Sequence, residues 1–291
     1  TRILKKPVFG TFQFGTGSTN GKSKKQTTGH QRFKMSFKHV PVRTIEGDLE
    51  LAEGKRAGTT VHHIFGENTD VDTGTLPEDL WNGSGVYSGF PTGAAETVEA
   101  FSSDTNDDEG GTGAEKIRIY GLDANYEEVN EVITLNGTTG VPTTSTWTRV
   151  YLAIVEQSAN GANTAFNVGT ITIRHTTSTT NIFIVMSAAT NRSRTGAFTI
   201  AAGHQGVLKR ILFEVEGNTS ITTEGSVWVR PFGKSPYLYN HFTAKDAVVY
   251  ESNIFSGQWF PEKTDLVIRV TATSASNADV AGEMDIIQSA L

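Results

Sequence analysis

Cysteine is absent from this 291-residue chain. No disulfide can staple it, and a thiolate nucleophile or a cysteine-held metal is excluded. No run approaches the ~18 apolar residues of a membrane-spanning helix, and no charged-then-apolar leader opens the chain. No window of a dozen residues keeps a 3.6-residue apolar period, which removes the main signal for amphipathic helices. Acid is missing too, but in one region. From Thr1 to Ile45 there are ten basic residues and no carboxylate; the first is Glu46. The other 15 of the 25 basic residues share the rest of the chain with all 31 acids, so a +10 arm precedes a −16 body.

Catalytic signatures are missing as well. No Gly-x-Ser-x-Gly elbow, phosphate-binding Gly-x-x-x-x-Gly-Lys-Ser/Thr loop or His-Glu-x-x-His pair occurs. His62 and His63 are neighbours, so on a strand they point to opposite faces and cannot share a metal. The sequence nominates no catalytic residue, no metal ligand and no cofactor.

What is present is strand patterning. Between Gly113 and Val155, three runs alternate polar and apolar side chains. Ile117 and Ile119 share a face in the first, and Ile133 and Leu135 in the second. In the third, Val150, Leu152 and Ile154 face one way and Trp147, Arg149, Tyr151 and Ala153 the other. Gly121–Asn125 and Asn136-Gly137 supply turn chemistry, and Asn-Gly between apolar runs is a strong hairpin signal. The expectation is a β-meander. Further strands are expected at Thr59–Phe65, Glu96–Ser102, Gly169–Arg174, Asn181–Met186, Gly196–Ile200, Val207–Val215, Val227–Arg230, Lys245–Tyr250, Leu266–Thr273 and Glu283–Gln288. In Val207–Val215, Val207, Ile211, Phe213 and Val215 share a face and Lys209 is the exception. Short strands punctuated by Gly, Asn and Ser predict an all-β protein of two sandwich or jelly-roll-like domains. The boundaries are an extended basic arm at 1–45, a connecting region at 46–95, and β domains at 96–188 and 190–291.

The arm carries five of the sixteen Phe residues among its Gly, Ser and Lys. A purely disordered basic tail is poor in aromatics. The expected partner-binding residues are Lys5, Lys6, Phe9, Phe12, Phe14, Lys22, Lys24, Lys25, Arg32, Phe33, Lys34, Phe37 and Lys38. Lys22, Lys24 and Lys25 would suit phosphates, yet the Phe anchors need apolar partners and no nucleic-acid motif is present. Docking on protein is therefore preferred over nucleic acid, either on the acidic body or on a neighbouring subunit.

Two weaker patterns remain. Asp104, Asn106, Asp108 and Glu115 fall at positions 1, 3, 5 and 12 of a calcium-loop spacing, but Glu109 stands where the sharp turn needs glycine. A solvated loop is the plainer reading. Trp81, Trp147, Trp228 and Trp259 could form a sugar-stacking platform, although single Trp residues on sheets more often pack or make subunit contacts.

A series of motifs resembles a segment of uncharacterised virion structural proteins of tailed bacteriophages. It runs from His63-Ile-Phe-Gly-Glu-Asn68 through Asp70-Val-Asp72-Thr-Gly74 and Pro77-Glu-Asp-Leu-Trp-Asn-Gly83 to Tyr87 and Phe90-Pro91. It continues with Gly121-Leu-Asp-Ala-Asn-Tyr126, Thr134-Leu-Asn-Gly-Thr138, Thr148-Arg-Val-Tyr151 and Gly169-Thr-Ile-Thr-Ile173, and covers roughly residues 60–230. The resemblance implies a non-enzymatic particle component assembled in a bacterial cytoplasm. Joined to the arm's chemistry, it leads us to expect a capsid decoration or cement protein whose partners are the major capsid protein, other virion proteins and further copies of itself. A tail, neck or fibre component is the alternative within the virion. A carbohydrate-binding adhesin is the alternative from another class.

Overall fold

A computed structural model describes residues 50–51, 53–216, 221–245, 250–253 and 259–291. Among them are sixteen strands. The first eight are β1 (Thr59–Val71), β2 (Glu78–Asp79), β3 (Glu96–Ser102), β4 (Ala114–Leu122), β5 (Glu128–Thr134), β6 (Val141–Trp147), β7 (Arg149–Ser158) and β8 (Ile171–His175). The rest are β9 (Ile182–Met186), β10 (Ala197–Thr199), β11 (His204–Glu216), β12 (Thr222–Arg230), β13 (Tyr237–Lys245), β14 (Tyr250–Asn253), β15 (Asp265–Thr273) and β16 (Ala278–Ala290). The fold is all-β.

Four antiparallel sheets pair off around two cores. One sheet has the order β1-β16-β11-β14, and the facing sheet has β10-β15-β12-β13 with β2 also on β15. Inward residues of both sheets, including Ile64, Phe213, Met284, Val229, Ile268 and Phe242, bury one another. The alternation of Leu266, Ile268 and Val270 along β15 places all three in this core, as a half-buried strand demands. The second sandwich packs β6-β3-β8-β9 against β5-β4-β7. Ile117 and Ile119 of β4 meet Ile171 and Ile173 of β8 around Trp147 and Phe183. Sheet-on-sheet packing of this kind removes both apolar faces from water.

The segment 46–95 does more than connect. Its β1 pairs along nearly its whole length with the C-terminal β16, from Thr59↔Ser289 to Val71↔Ala278. The first sandwich therefore closes with strands from both ends of the described chain, while the second is built entirely between Glu96 and Met186.

Three expectations need correction. The Gly113–Val155 stretch is not a simple meander. β4 is central, with β5 on one side and β7 on the other. An unforeseen strand, β6, leaves for the opposite sheet and pairs with β3. Asn136-Gly137 turns the chain, but Gly137 (φ +55°) packs on Thr105, exchanging backbone bonds with Asp107 and Ser102. That docking sends the next strand across the sandwich rather than back alongside β5.

The third run also changes face partway. Gly121 pairs with Val150 and Tyr120 with Leu152, so Tyr151 is the extra residue of a bulge. Val150 and Ala153 consequently both reach the second core, and Tyr151 packs against the first. In β11 the odd Lys209 has the same origin. Leu208 pairs with Ile286 and Arg210 with Asp285, so Lys209 is bulged, and Leu208 rather than Val207 is fully buried. The strand expected at Lys245–Tyr250 falls on 246–249, which lie outside the described residues; β13 ends at Lys245 and β14 begins at Tyr250.

Candidate functional site

The thirteen arm residues expected to bind partners, Lys5 to Lys38, lie outside the described residues. The body's own concentration of buried charge is at the joint between the sandwiches.

The joint starts from aromatic residues of the 46–95 segment. Trp81 and Tyr87 cluster with Ala197 and Val267, flanked by Phe90, Ile182, Val185 and Trp228. The rings of Trp81 and Tyr87 meet edge-on at 5.2 Å, and those of Tyr87 and Phe90 at 5.0 Å. The Tyr87 hydroxyl donates to the carbonyl of Val150 in the second sandwich, at 3.2 Å. Burial pushes this phenol above its ordinary range.

Beside it, the Asp265 carboxylate accepts from three side chains. Arg149 donates through Nε to Oδ1 (2.9 Å) and through Nη2 to Oδ2 (3.2 Å). Arg230 donates to Oδ2 through Nε (2.9 Å) and Nη2 (2.6 Å), and Thr199 Oγ1 donates to Oδ1 at 2.6 Å. Arg149 comes from β7 of the second sandwich; Asp265, Arg230 and Thr199 come from the first. The guanidiniums also hold the intervening chain, Arg149 through the carbonyls of Thr148 and Pro91 and Arg230 through that of Phe90.

A second buried carboxylate, Asp79 of β2, takes a two-pronged bond from Arg269 (2.6 and 2.9 Å) and the amide of Tyr87 (2.8 Å). Burial raises its pKa, opposed by the Arg269 hydrogen bonds and charge. Glu78 shows the reverse balance. Burial alone would raise it, but bonds from Thr75, the Asp72 amide, Asn68 and the Gly85 amide together pull it down.

A cleft of about 310 Å³ opens over the Asp265 cluster, lined by Tyr126, Arg149, Arg230, Phe232, Lys234 and Asp265 among others. The rings of Tyr126 and Phe232 stand edge-on at 5.7 Å, and Lys263 Nζ lies 5.4 Å and 5.6 Å from their centres. Phe232 is 61% exposed. Its neighbours on the β12–β13 hairpin and β13, Tyr237 and Leu238, are exposed as well.

The residues at calcium-loop spacing are not brought together. Asp104 Oδ1 accepts from the backbone and side chain of Asn106, while Glu115 is buried against Gln157 and the Gly161 amide. The buried acid of this loop is Asp107, which lies outside that spacing. It accepts from Ser102 Oγ (2.6 Å) and from the amides of Ala114, Val168 and Gly169 (2.8 Å each). Among the described residues, no three His, Asp or Glu side chains gather as a metal site. Trp81 and Trp147 are buried and Trp228 packs at the joint, which leaves Trp259 exposed. His62 and His63 face apart: His62 lies against Phe198 and Tyr151, and His63 bonds Asp285 at 2.8 Å.

Comparison with known proteins adds little. No family model and no curated protein matches the chain. Among solved structures, a structure of infectious bursal disease virus, Gt strain, matches at 9% identity and a TM-score of 0.18. The match spans 79% of this chain and 72% of that one. A likeness at that level carries no argument.

Proposed function

We propose that this protein is a structural component of a tailed-phage particle, acting as a capsid decoration or cement protein. The observation that carries the reading is the Arg149–Asp265 pair, which ties two sandwiches into one body through buried charge. Residues that carry the phage resemblance build that joint: Asp79, Trp81, Tyr87, Phe90 and Arg149. The chemistry concentrated there is cross-bracing, suited to a mechanical part. The +10 arm, with its five Phe residues, supplies the attachment. Each anchor contributes roughly 1.5–3 kcal/mol if its ring is buried, and repetition by particle symmetry multiplies the effect through avidity. Its partners are shell subunits with acidic, apolar-pitted surfaces.

Removing residues 1–45 tests the reading. The truncated chain should keep its β-sheet circular dichroism and unfolding midpoint but no longer sediment with particles. Equal co-sedimentation of full and truncated chains would refute the arm's role. A particle image without density for the protein would refute the reading as a whole.

A further inference from the structure

We propose that the cleft over Asp265 binds a carboxylated saccharide, with one sugar ring against Phe232 and its carboxylate among Arg230, Lys234 and Lys263. This does not depend on the particle role above.

Charge comes first. Arg149, Arg230 and Lys234 line the cleft with one carboxylate, Asp265, and Lys263 stands against the Tyr126 and Phe232 rings of its wall, in a chain whose residues after Ile45 sum to −16. Asp265 is saturated by five hydrogen bonds, and Arg149 is spent on it and on two carbonyls. Arg230 Nη1 and the ammonium groups of Lys234 and Lys263 have no side-chain acceptor among the described residues. Those donors are open to an incoming anion, and a planar guanidinium beside two ammonium groups suits a carboxylate.

The wall chooses the rest of the ligand. Tyr126 is covered by Arg149 (5.5 Å) and Lys263 (5.4 Å), so its ring is used up in cation–π contacts. Phe232, held edge-on by Tyr126 and with Lys263 Nζ 5.6 Å from its centre, lines the hollow and stays mostly exposed. An exposed aromatic ring next to cations with hydrogens to spare, in a hollow of about 310 Å³, fits a sugar ring bearing an acid.

The backbone points the same way. Tyr126 (φ 65°) and Lys263 (φ 58°) are the two large side chains among the non-glycine residues with positive φ, and they meet across this cleft. Such conformations cost energy and concentrate where a binding surface is held in shape. Here the Ala202 amide donates to Tyr126 O at 2.8 Å, and the Lys263 amide to Ile200 O at 2.8 Å. An acidic peptide would meet the same charges, but it could not pair with the strand that carries Arg230. β12, which carries Arg230, is already paired on both sides by β13 and β15.

The test is calorimetric titration of the full chain with trimers of galacturonic and glucuronic acid, a neutral galactose trimer and hexaglutamate. At least one acidic trimer should bind, the neutral trimer should not, and binding should weaken as salt rises. Phe232→Ala and the double variant Lys234→Ala/Lys263→Gln should each weaken it tenfold or more with an unchanged unfolding midpoint. Failure of both acidic trimers overturns the proposal. So does hexaglutamate binding as tightly as the sugars with no loss in Phe232→Ala, since charge alone would then explain the cleft. Unaltered sugar affinity in the two variants overturns it as well.

Discussion

Arg149 Nε stands 2.9 Å from Asp265 Oδ1 across the joint between the sandwiches, and each side chain is about 5% exposed. A buried ion pair is weak evidence for net stability, because both charges were removed from water to form it. Breaking it is another matter. Without Arg149 the Asp265 carboxylate keeps Arg230 and Thr199 but loses its most buried partner, so the cost should fall at or below the roughly 3–5 kcal/mol of a buried charge left wholly unpaired. Arg149→Met should therefore destabilise the protein by up to that much in urea unfolding. Arg230→Gln should cost less, because Arg230 is 28% exposed and sits on the solvent side of the same carboxylate. Equal, small losses from both would show that the pair does not brace the joint.

Gly121 makes the bulge beside this pair sterically possible. A Cβ there would lie 2.0 Å from the carbonyl oxygen of Arg149, which is backbone and cannot swing aside. Gly121→Ala should reach or exceed the top of the range of about 1–3 kcal/mol seen for overpacking. Gly93→Ala, with nothing within 4 Å of the added carbon, is the matched control and should change the midpoint little.

The strands were largely legible because their alternation is a local signal. Ile117, Ile119, Leu266, Ile268 and Val270 sit where their spacing put them. What could not be read was long-range. Nothing local says that β7 pairs with β4 or that β1 pairs with β16, and the bulges at Tyr151 and Lys209 appear only as breaks in a pattern. Lys209 was such a break, an interruption in an otherwise clean apolar face. Asp265 and Arg149 carried no sign of their joint role. They lie 116 positions apart, and a lone charge at a strand end normally means solvent. The positive φ values of Tyr126 and Lys263 were equally hidden, since neither residue type announces that backbone.

His62 should make stability fall as pH drops. Burial lowers its pKa below the ordinary 6.5, against the raising pull of Glu128, with His204 adding to the lowering. The folded state therefore binds its proton less readily than the unfolded chain does. The stabilising contribution is complete above the unfolded value and is lost as pH falls from 6.5 toward the folded value. The slope for one proton is at most about 1.4 kcal/mol per pH unit. Urea unfolding between pH 7.5 and 5.5 should show this decline, and His62→Leu should flatten it. An unchanged slope in the variant would assign the decline to other groups.

The Asp107 carboxylate should be the most sensitive polar group of the second sandwich. It is fully buried and gathers the end of β3, the start of β4 and the approach to β8 through Ser102, Ala114, Val168 and Gly169. Those donors have no other use for their hydrogens at this point of the fold. Asp107→Ala strands four of them, and each unsatisfied buried group costs roughly 1–3 kcal/mol. Even with local relaxation, the loss should exceed about 3 kcal/mol. Asp107→Asn keeps the shape, but its amide directs hydrogens at other hydrogens, so it should lie between wild type and Ala. Asp104→Ala, at a half-buried position where the carboxylate accepts from neighbouring Asn106, should cost well under about 1 kcal/mol. Because the Asp265 cluster couples the sandwiches, the Asp107→Ala loss should appear as one cooperative transition, with tryptophan fluorescence from Trp147 and amide circular dichroism shifting together. If fluorescence moved first and dichroism kept a second step, the joint would be too weak to couple the two halves.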